Sequence, residues 1–188
     1  AIADTINACV DEEIDVYKLP VFDIEYLFTQ IRSKSVGETT TIQTNCKECD
    51  TPNEIAVDIS KITIKVPKTA NAKLIKLSNE YTLEMKYPTL KDIAPKFNKY
   101  KEGNQTDQAF DMIAACIDAV QTADERIALS DESEEEITTF IESFSTDQFM
   151  KVKDFIEKMP RLKHDVEFKC GNCDHDNKLT LEGTADFF

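Results

Sequence analysis

Hydrophobic residues recur at two different spacings along this chain, and the spacing changes from one segment to the next. Residues 1–37 and 89–160 carry apolar side chains every three or four positions, which is typical of amphipathic helices. Residues 38–88 and 164–188 alternate apolar with polar side chains, as half-buried strands do. The pattern predicts an α+β fold, with N-terminal helices, a small antiparallel sheet built from two distant segments, and a helical insertion between those segments.

Several predicted helices have recognisable ends. Asp23 suits the N-cap of one helix, and Gly37 suits its end because glycine readily adopts the left-handed conformation. Ser133–Glu136 and Ser145–Gln148 each have the sequence of a capping box. The two short amphipathic helices that follow these boxes predict an αα-hairpin.

Another helix, beginning at Thr106, is expected to be central. One of its faces carries Phe110, Ile113, Ile117 and Val120. A second face carries Met112, Cys116 and Ala119. Two apolar faces predict a helix that is buried on both sides.

Two shorter features complete the pattern. Leu74–Leu77 and Tyr81–Tyr87 flank a polar turn and predict a β-hairpin. At the end of the chain, Phe187 and Phe188 form an apolar pair. Such a pair docks either in the protein's own core or in a groove of a partner, and the sequence leaves both outcomes open.

Two Cys-x-x-Cys motifs give the strongest chemical signal. The first knuckle, Cys46–Cys49, lies between the strand-like segments Thr39–Thr44 and Glu54–Ile59, and the second knuckle, Cys170–Cys173, lies between Val166–Phe168 and Leu179–Leu181. Thiolates suit Zn²⁺, and a structural zinc needs a closed shell of four ligands. We therefore predict a split four-cysteine zinc ribbon holding one structural zinc, with Cys46, Cys49, Cys170 and Cys173 as its ligands. Four sulfurs leave no position for a catalytic water.

The distance between the knuckles along the chain is unusual for such a site. Zinc ribbons commonly place about 15–20 residues between their two cysteine pairs. Here 120 residues separate Cys49 from Cys170. The prediction therefore requires the intervening chain to leave the sheet and return to it.

Other interpretations of the cysteines stay open from the sequence alone. One Cys-x-x-Cys could act as a redox pair, which needs a lowered thiolate pKa at a helix N-terminus, and the thiols could also be unmetallated or form disulfides. His175 could replace a sulfur, although a histidine that lies behind the metal ligands or faces solvent is the commoner outcome, and His164 is interpreted as a surface residue. Cys9 and Cys116 fall on predicted helices among apolar residues, where a free cysteine behaves as a small hydrophobic side chain. This usage fits a reducing cytoplasm.

The net charge of the chain restricts the kinds of molecule that it is expected to bind. The 188 residues are enough for one domain with a substantial core, and the chain carries a net charge of −14 with a pI of about 4.6. Nucleic acids and anionic membranes attract basic surfaces, so we expect neither as a partner and favour other proteins. The acidic run Asp131–Glu136 is interpreted as a solvated first turn, which the helix dipole favours.

The sequence contains no phosphate-binding, zinc-protease or calcium-loop motif and no basis for a catalytic triad, which predicts a protein without enzymatic activity.

Two stretches resemble a known family. The run Leu19-Pro-Val-Phe-Asp-Ile-Glu-Tyr-Leu-Phe-Thr-Gln-Ile-Arg-Ser-Lys-Ser-Val-Gly-Glu38, followed by a Cys-x-x-Cys, resembles the baseplate hub assembly proteins of T-even-like tailed phages (myoviruses). The ending, from Cys170-Gly-Asn-Cys173 through Leu181-Glu-Gly183, is similar to the close of the same family. The resemblance implies a role in building the central hub in the host cytoplasm. Members of this family carry a helical segment before the position of Ala1, so we expect the chain start to be truncated or processed.

Together these observations predict a single zinc-clamped domain over residues 1–188 that binds phage baseplate hub proteins during tail assembly. The residues leave open whether the chain also forms a homo-oligomer and whether it remains in the virion. A thiol–disulfide redox protein is the alternative function. A zinc-ribbon nucleic-acid binder is a third, which the low pI disfavours.

Overall fold

The computed structural model of the chain describes residues 2–12, 14–68, 72–96 and 105–187. Contacts divide it into two compact units. Unit 1 takes in the described residues of Ala1–Val16, Phe22–Val66 and Pro160–Phe188, and unit 2 takes in those of Tyr17–Val21 and Pro67–Met159. Ala1 and Phe188, on which two of the sequence predictions fall, lie outside the described residues.

Unit 1 combines two helices with two antiparallel sheets. Its elements are α1 (Ile2–Cys9), α2 (Val21–Ser35, whose first residue belongs to unit 2), β1 (Thr39–Asn45), β2 (Pro52–Asp58), β3 (Thr63–Lys65), β8 (Arg161–Lys169) and β9 (Asp176–Glu182). Strands β1 and β2 form a two-stranded sheet, and the second sheet has the order β3-β8-β9. Lys65 on β3 lies opposite Arg161 on β8. The chain therefore leaves this sheet and re-enters it at neighbouring positions.

The core of unit 1 draws on both ends of the sequence. Its buried members are Val57, Ile59, Ile62, Leu162, Leu181 and Phe187. Phe187 is fully buried, so of the two outcomes left open for this residue, docking in the protein's own core is the one observed.

Helix α2 does not begin where the sequence predicted. It starts at Val21, so Asp23 lies inside the first turn and the prediction of Asp23 as N-cap is wrong. The Val21 N–H donates to the Pro88 carbonyl at 3.1 Å, and Pro20 forms a β-bridge with Thr89. Because the backbone is already paired at this point, the helix begins without the predicted cap.

Unit 2 contains a four-stranded antiparallel sheet and several helices. Its elements are β4 (Leu74–Lys76), β5 (Thr82–Met85), α3 (Leu90–Ile93), α4 (Gln105–Cys116), β6 (Ile117–Gln121), β7 (Arg126–Ala128), α5 (Glu134–Glu142) and α6 (Thr146–Glu157). The strand order is β4-β5-β6-β7. The predicted hairpin around residues 78–80 is confirmed by the pairing of β4 with β5. Within the described residues, no helix is long and apolar enough to cross a membrane.

The predicted central helix ends earlier than expected. Helix α4 stops at Cys116 and the chain continues directly as strand β6, so the helical prediction for residues 117–121 is wrong. Ile117 and Val120 would be buried in a helix as well as in a strand, so the apolar pattern does not distinguish the two structures. Tertiary pairing decides the outcome, because β6 is flanked by β5 and β7 and has strand partners on both sides. The segment predicted as a purely helical insertion therefore contains part of a sheet.

Both predicted capping boxes are confirmed. The Ser133 N–H donates to Glu136 Oε2 at 3.0 Å, and the Ser145 N–H donates to Gln148 Oε1 at 2.8 Å. Each serine hydroxyl in turn accepts from the backbone N–H of the same partner. Helices α5 and α6 both contact α4, and residues of all three helices join the core of unit 2.

We expect Phe187→Ala to lower the free energy of unfolding by about 3–5 kcal/mol, because removing a buried aromatic ring leaves a cavity in a packed core. Equilibrium urea unfolding followed by circular dichroism measures this change. The control is Val66→Ala, since Val66 belongs to unit 1 but is 71% exposed, and its replacement should change stability by less than about 0.5 kcal/mol. Equal effects of the two substitutions would contradict the assignment of Phe187 to the core.

Candidate metal centre

The two knuckles lie in the turns of two hairpins with matching dimensions. In the first hairpin, seven residue pairs run from Thr39↔Asp58 to Asn45↔Pro52. In the second, seven pairs run from Lys163↔Glu182 to Lys169↔Asp176. Loops 46–51 and 170–175 connect the paired strands. Every position of one hairpin thus corresponds to a position of the other, 124 residues further along the chain.

Each hairpin loop is stabilised by the same backbone bonds. The Cys46 N–H donates to the Thr51 carbonyl at 2.9 Å, and the Cys170 N–H donates to the His175 carbonyl at 2.9 Å. After the second cysteine of each knuckle the backbone turns through the left-handed region, at Asp50 (φ 55°) and Asp174 (φ 57°). Aspartate tolerates this conformation better than most non-glycine residues. The repeated aspartate is therefore part of the turn that presents the sulfurs.

The four sulfurs form one cluster. Cys46 Sγ lies 3.7 Å from Cys173 Sγ, and Cys49 Sγ lies 3.7 Å from Cys170 Sγ. All four atoms lie within 4.8 Å of one another. A tetrahedron with metal–sulfur bonds of about 2.3 Å has edges of about 3.8 Å, whereas disulfide sulfurs lie about 2.05 Å apart. The two 3.7 Å distances match the edge of such a tetrahedron, and all four cysteines are free thiols.

Two asparagines link each hairpin to the knuckle of the other. Asn53, on β2, accepts a hydrogen bond from the Gly171 N–H at 3.0 Å, and its amide group lies 3.7 Å from Cys170 Sγ. Asn177, on β9, accepts from the Lys47 N–H at 2.9 Å and donates to Cys46 Sγ at 3.4 Å. Each asparagine also donates to the carbonyl two residues before it. We call this reciprocal pair, Asn53 and Asn177, the asparagine clasp.

The sequence prediction missed the asparagine clasp, although the chain carries a signal for it. Aligning the two knuckles shows that both continue as Cys-x-x-Cys-Asp-x-x-Asn. Asn53 and Asn177 thus occupy the same position of a repeated eight-residue motif.

Backbone N–H groups also point at the sulfurs. The Glu48 N–H lies 3.4 Å from Cys46 Sγ, and the Asn172 N–H lies 3.4 Å from Cys170 Sγ. These are the first cysteines of the two knuckles, and both are buried. Donors aimed at sulfur favour the thiolate, which is the form that binds metal.

The sulfurs interact strongly enough to separate their pKa values. Hydrogen bonds with Thr51 lower the pKa of Cys49 to about 6. At Cys173, the N–H of His175 favours the thiolate, but the neighbouring sulfurs of Cys49, Cys46 and Cys170 together with burial raise the pKa to about 12. Four thiolates this close repel one another unless a cation lies between them. The cluster is therefore electrostatically suited to a bound metal ion.

The histidines and remaining cysteines lie apart from this cluster. Among the described residues, the group of ligand atoms that could share a metal ion consists of the four cysteine sulfurs, without His175. His175 is exposed and contributes its backbone carbonyl to the loop, while His164 is half-buried on β8. Cys116 is fully buried as predicted, and burial raises its pKa to about 12. Cys9 is exposed, so the prediction that it lies among apolar residues is wrong.

The position of the knuckles gives no support to the redox alternative. A reactive Cys-x-x-Cys generally lies at a helix N-terminus, where the dipole stabilises the thiolate. Here both pairs lie in hairpin loops between antiparallel strands.

The fold and the site define a mixed helix-and-sheet protein in which two hairpins bring four cysteines close enough to hold one metal ion. The chain belongs to the T4 bacteriophage base plate protein family, whose model matches residues 1–188. This confirms the resemblance to phage baseplate proteins, and membership of a structural family favours a role without catalysis. Neither the curated proteins nor the solved structures gave a significant match to the chain.

We expect Asn53→Ala and Asn177→Ala each to weaken metal binding by roughly 10–100-fold, the usual effect of removing a group that orients metal ligands. Competition with a chromophoric zinc chelator measures the affinity. The control is Asn79→Ala, because Asn79 is exposed in unit 2. Wild-type affinity in both clasp variants would show that the asparagines do not support the site.

Proposed function

We propose that this chain is a non-enzymatic assembly protein of the phage tail baseplate hub, stabilised by one structural zinc ion. Membership of the baseplate family over residues 1–188 is the observation that supports the process most directly. The hub itself, rather than another part of the baseplate, is proposed from the resemblance of Leu19–Glu38 and of the ending Cys170–Gly183 to hub assembly proteins.

The proposed ligands are Cys46, Cys49, Cys170 and Cys173. An all-sulfur set of four suits Zn²⁺ better than the hard cations, which prefer oxygen. With all four positions filled by protein, such an ion has no open site for substrate or water. Its contribution is to hold the two hairpin loops together, which supports a structural role.

Zinc at this position would join segments from opposite ends of the chain. Binding energy of this kind counts as folding energy, on the order of 10–16 kcal/mol in small zinc domains. We propose on this basis that residues 1–188 behave as one zinc-clamped domain, with 1–37, 38–88, 89–160 and 164–188 as its segments. The apo protein is then expected to lose the contact between the hairpins before it loses the hairpins themselves.

The proposed partners are other proteins of the baseplate hub. The net charge of −14 disfavours nucleic acid and anionic membrane, since both attract basic surfaces. Assembly of the hub would take place in the host cytoplasm, late in infection, with the tail baseplate of the virion as the second location. Native mass spectrometry of the purified chain counts the bound zinc and also shows whether the chain self-associates.

We expect phage carrying Cys46→Ser or Cys170→Ser to accumulate tails that lack hubs, because loss of one ligand releases the zinc and separates the two hairpins. Electron microscopy of infected-cell lysates measures the tails, and native mass spectrometry of the purified chains counts the metal. One zinc per wild-type chain is expected, and none in either variant.

The matched control is Cys116→Ser, which replaces a buried cysteine of unit 2 outside the sulfur cluster. This variant should keep its zinc. Normal hubs in a zinc-free Cys46→Ser phage would contradict the structural role of the metal. Complete baseplates in phage lacking the whole chain would contradict the assembly function.

A further inference from the structure

A cavity of about 220 Å³ opens at one side of unit 2. Strands β6 and β7 form one wall, with Val120 and Ile127, and helix α5 forms the other, with Ile137 and Phe140. Glu132 and Glu136 also line it. We call this feature the α5–β7 cleft.

The sequence forms both apolar walls by ordinary local rules. Val120 and Ile127 are opposite each other in the β6–β7 pairing, so their side chains lie on one face of the sheet. Ile137 and Phe140 are three residues apart on α5 and share one side of the helix. Tyr81, which also lines the cleft, is 42% exposed. The cleft is thus an accessible extension of the hydrophobic core of unit 2.

The volume is large enough for a side chain. An apolar cavity of about 150 Å³ in another protein binds benzene, so about 220 Å³ accommodates a phenylalanine, leucine or methionine side chain. A binding pocket of this kind commonly receives the central anchor residue of a protein interface. The lining therefore indicates a large apolar side chain as the group that enters.

The surrounding charge determines what lies beside that anchor. Residues 123–136 contain seven carboxylates and one basic residue, Arg126. The Arg126 guanidinium already pairs with Glu84 and Asp118, at 2.6 and 2.8 Å. Hydrogen bonds from Ser133 hold the pKa of Glu136 below its ordinary value, so this carboxylate is charged at neutral pH. The described lining residues include two glutamates and neither lysine nor arginine.

We propose that the α5–β7 cleft binds a segment of a partner protein that presents one large apolar side chain flanked by lysine or arginine. The apolar walls receive the anchor, and the carboxylates of Glu132 and Glu136 pair with the basic residues. A second copy of this chain fits poorly, because two molecules that each carry a net charge of −14 repel one another. The inference rests on the proposed role in protein binding and assigns it a surface.

The test uses the 188-residue chain loaded with zinc and fluorescein-labelled synthetic peptides. Each peptide carries a central leucine or phenylalanine flanked either by lysines or, in the matched set, by glutamates. Fluorescence anisotropy measures binding. We expect saturable binding of the lysine-flanked peptides, with Ile127→Glu and Glu132→Lys each weakening it by roughly tenfold or more, since a buried charge or a repelled cation opposes docking.

The control variant is Glu135→Lys, which changes the charge by the same amount on α5 at a residue outside the cleft lining. It should bind nearly as well as wild type, and thermal unfolding verifies that all three variants are folded. An equal loss in Glu135→Lys, equal binding of glutamate-flanked peptides, or no saturable binding at all would overturn the proposal. Self-association that Ile127→Glu abolishes would also overturn it, in favour of an interface between copies.

The phage assay separates this inference from the proposed function. Phage carrying Ile127→Glu should assemble fewer hubs if the cleft is the docking surface. Normal hub assembly by a variant that has lost peptide binding would overturn the cleft as the docking site. It would leave the zinc-clamped assembly role unaffected, because that role is tested by the cysteine variants.

Discussion

The contact between two hairpin loops far apart in sequence is the constraint on which unit 1 depends. Sulfurs from residues 46–49 and 170–173 lie within 4.8 Å of one another, and the asparagine clasp ties each loop to the opposite strand end. Closing a loop of about 120 residues instead of about 15 costs only about 2 kcal/mol more in chain entropy, at about 0.6 kcal/mol for each doubling. That cost would be small beside the binding energy of the proposed structural zinc, which is on the order of 10–16 kcal/mol. A large insertion between the knuckles is therefore energetically tolerable.

The near-equivalence of the two hairpins explains how one site can be assembled from two distant segments. Each hairpin contributes the same eight-residue motif, and each presents its asparagine to the knuckle of the other. Each hairpin therefore supplies two of the four sulfurs and the asparagine that supports the other two, so the site forms only when both hairpins meet. The equivalence is broken at Asn172, whose side-chain amide reaches Thr51 Oγ1 at 3.2 Å and whose counterpart in the first loop is Glu48.

Much of the secondary structure could be predicted from the sequence because it is specified locally. The capping boxes at Ser133 and Ser145, the hairpin around residues 78–80 and the strands beside each knuckle depend on neighbouring residues. The apolar pattern predicts helix for Ile117–Gln121 because apolar residues at 117 and 120 satisfy both periods, and only pairing with β5 and β7 decides for the strand. The start of α2 depends similarly on Pro88, a residue distant in sequence.

The sequence could predict which cysteines come together but not the groups that support them. Cysteine spacing identified the four sulfurs, whereas the role of Asn53 and Asn177 emerges only when the opposite hairpin is placed against each of them. The burial of Phe187 and the shape of the α5–β7 cleft likewise follow from tertiary packing, which periodicity does not encode. The run Asp131–Glu136 predicts a solvated first turn, and two of its carboxylates, Glu132 and Glu136, also line the cleft.

X-ray absorption at the zinc edge of the purified chain tests the central claim most directly. The account predicts one zinc with four sulfur neighbours at about 2.3 Å, and the same spectrum for His175→Ala. A nitrogen or oxygen ligand in the first shell would contradict the four-cysteine assignment. A chain that retains no zinc and whose cysteines are oxidised to disulfides would contradict the metal clamp itself.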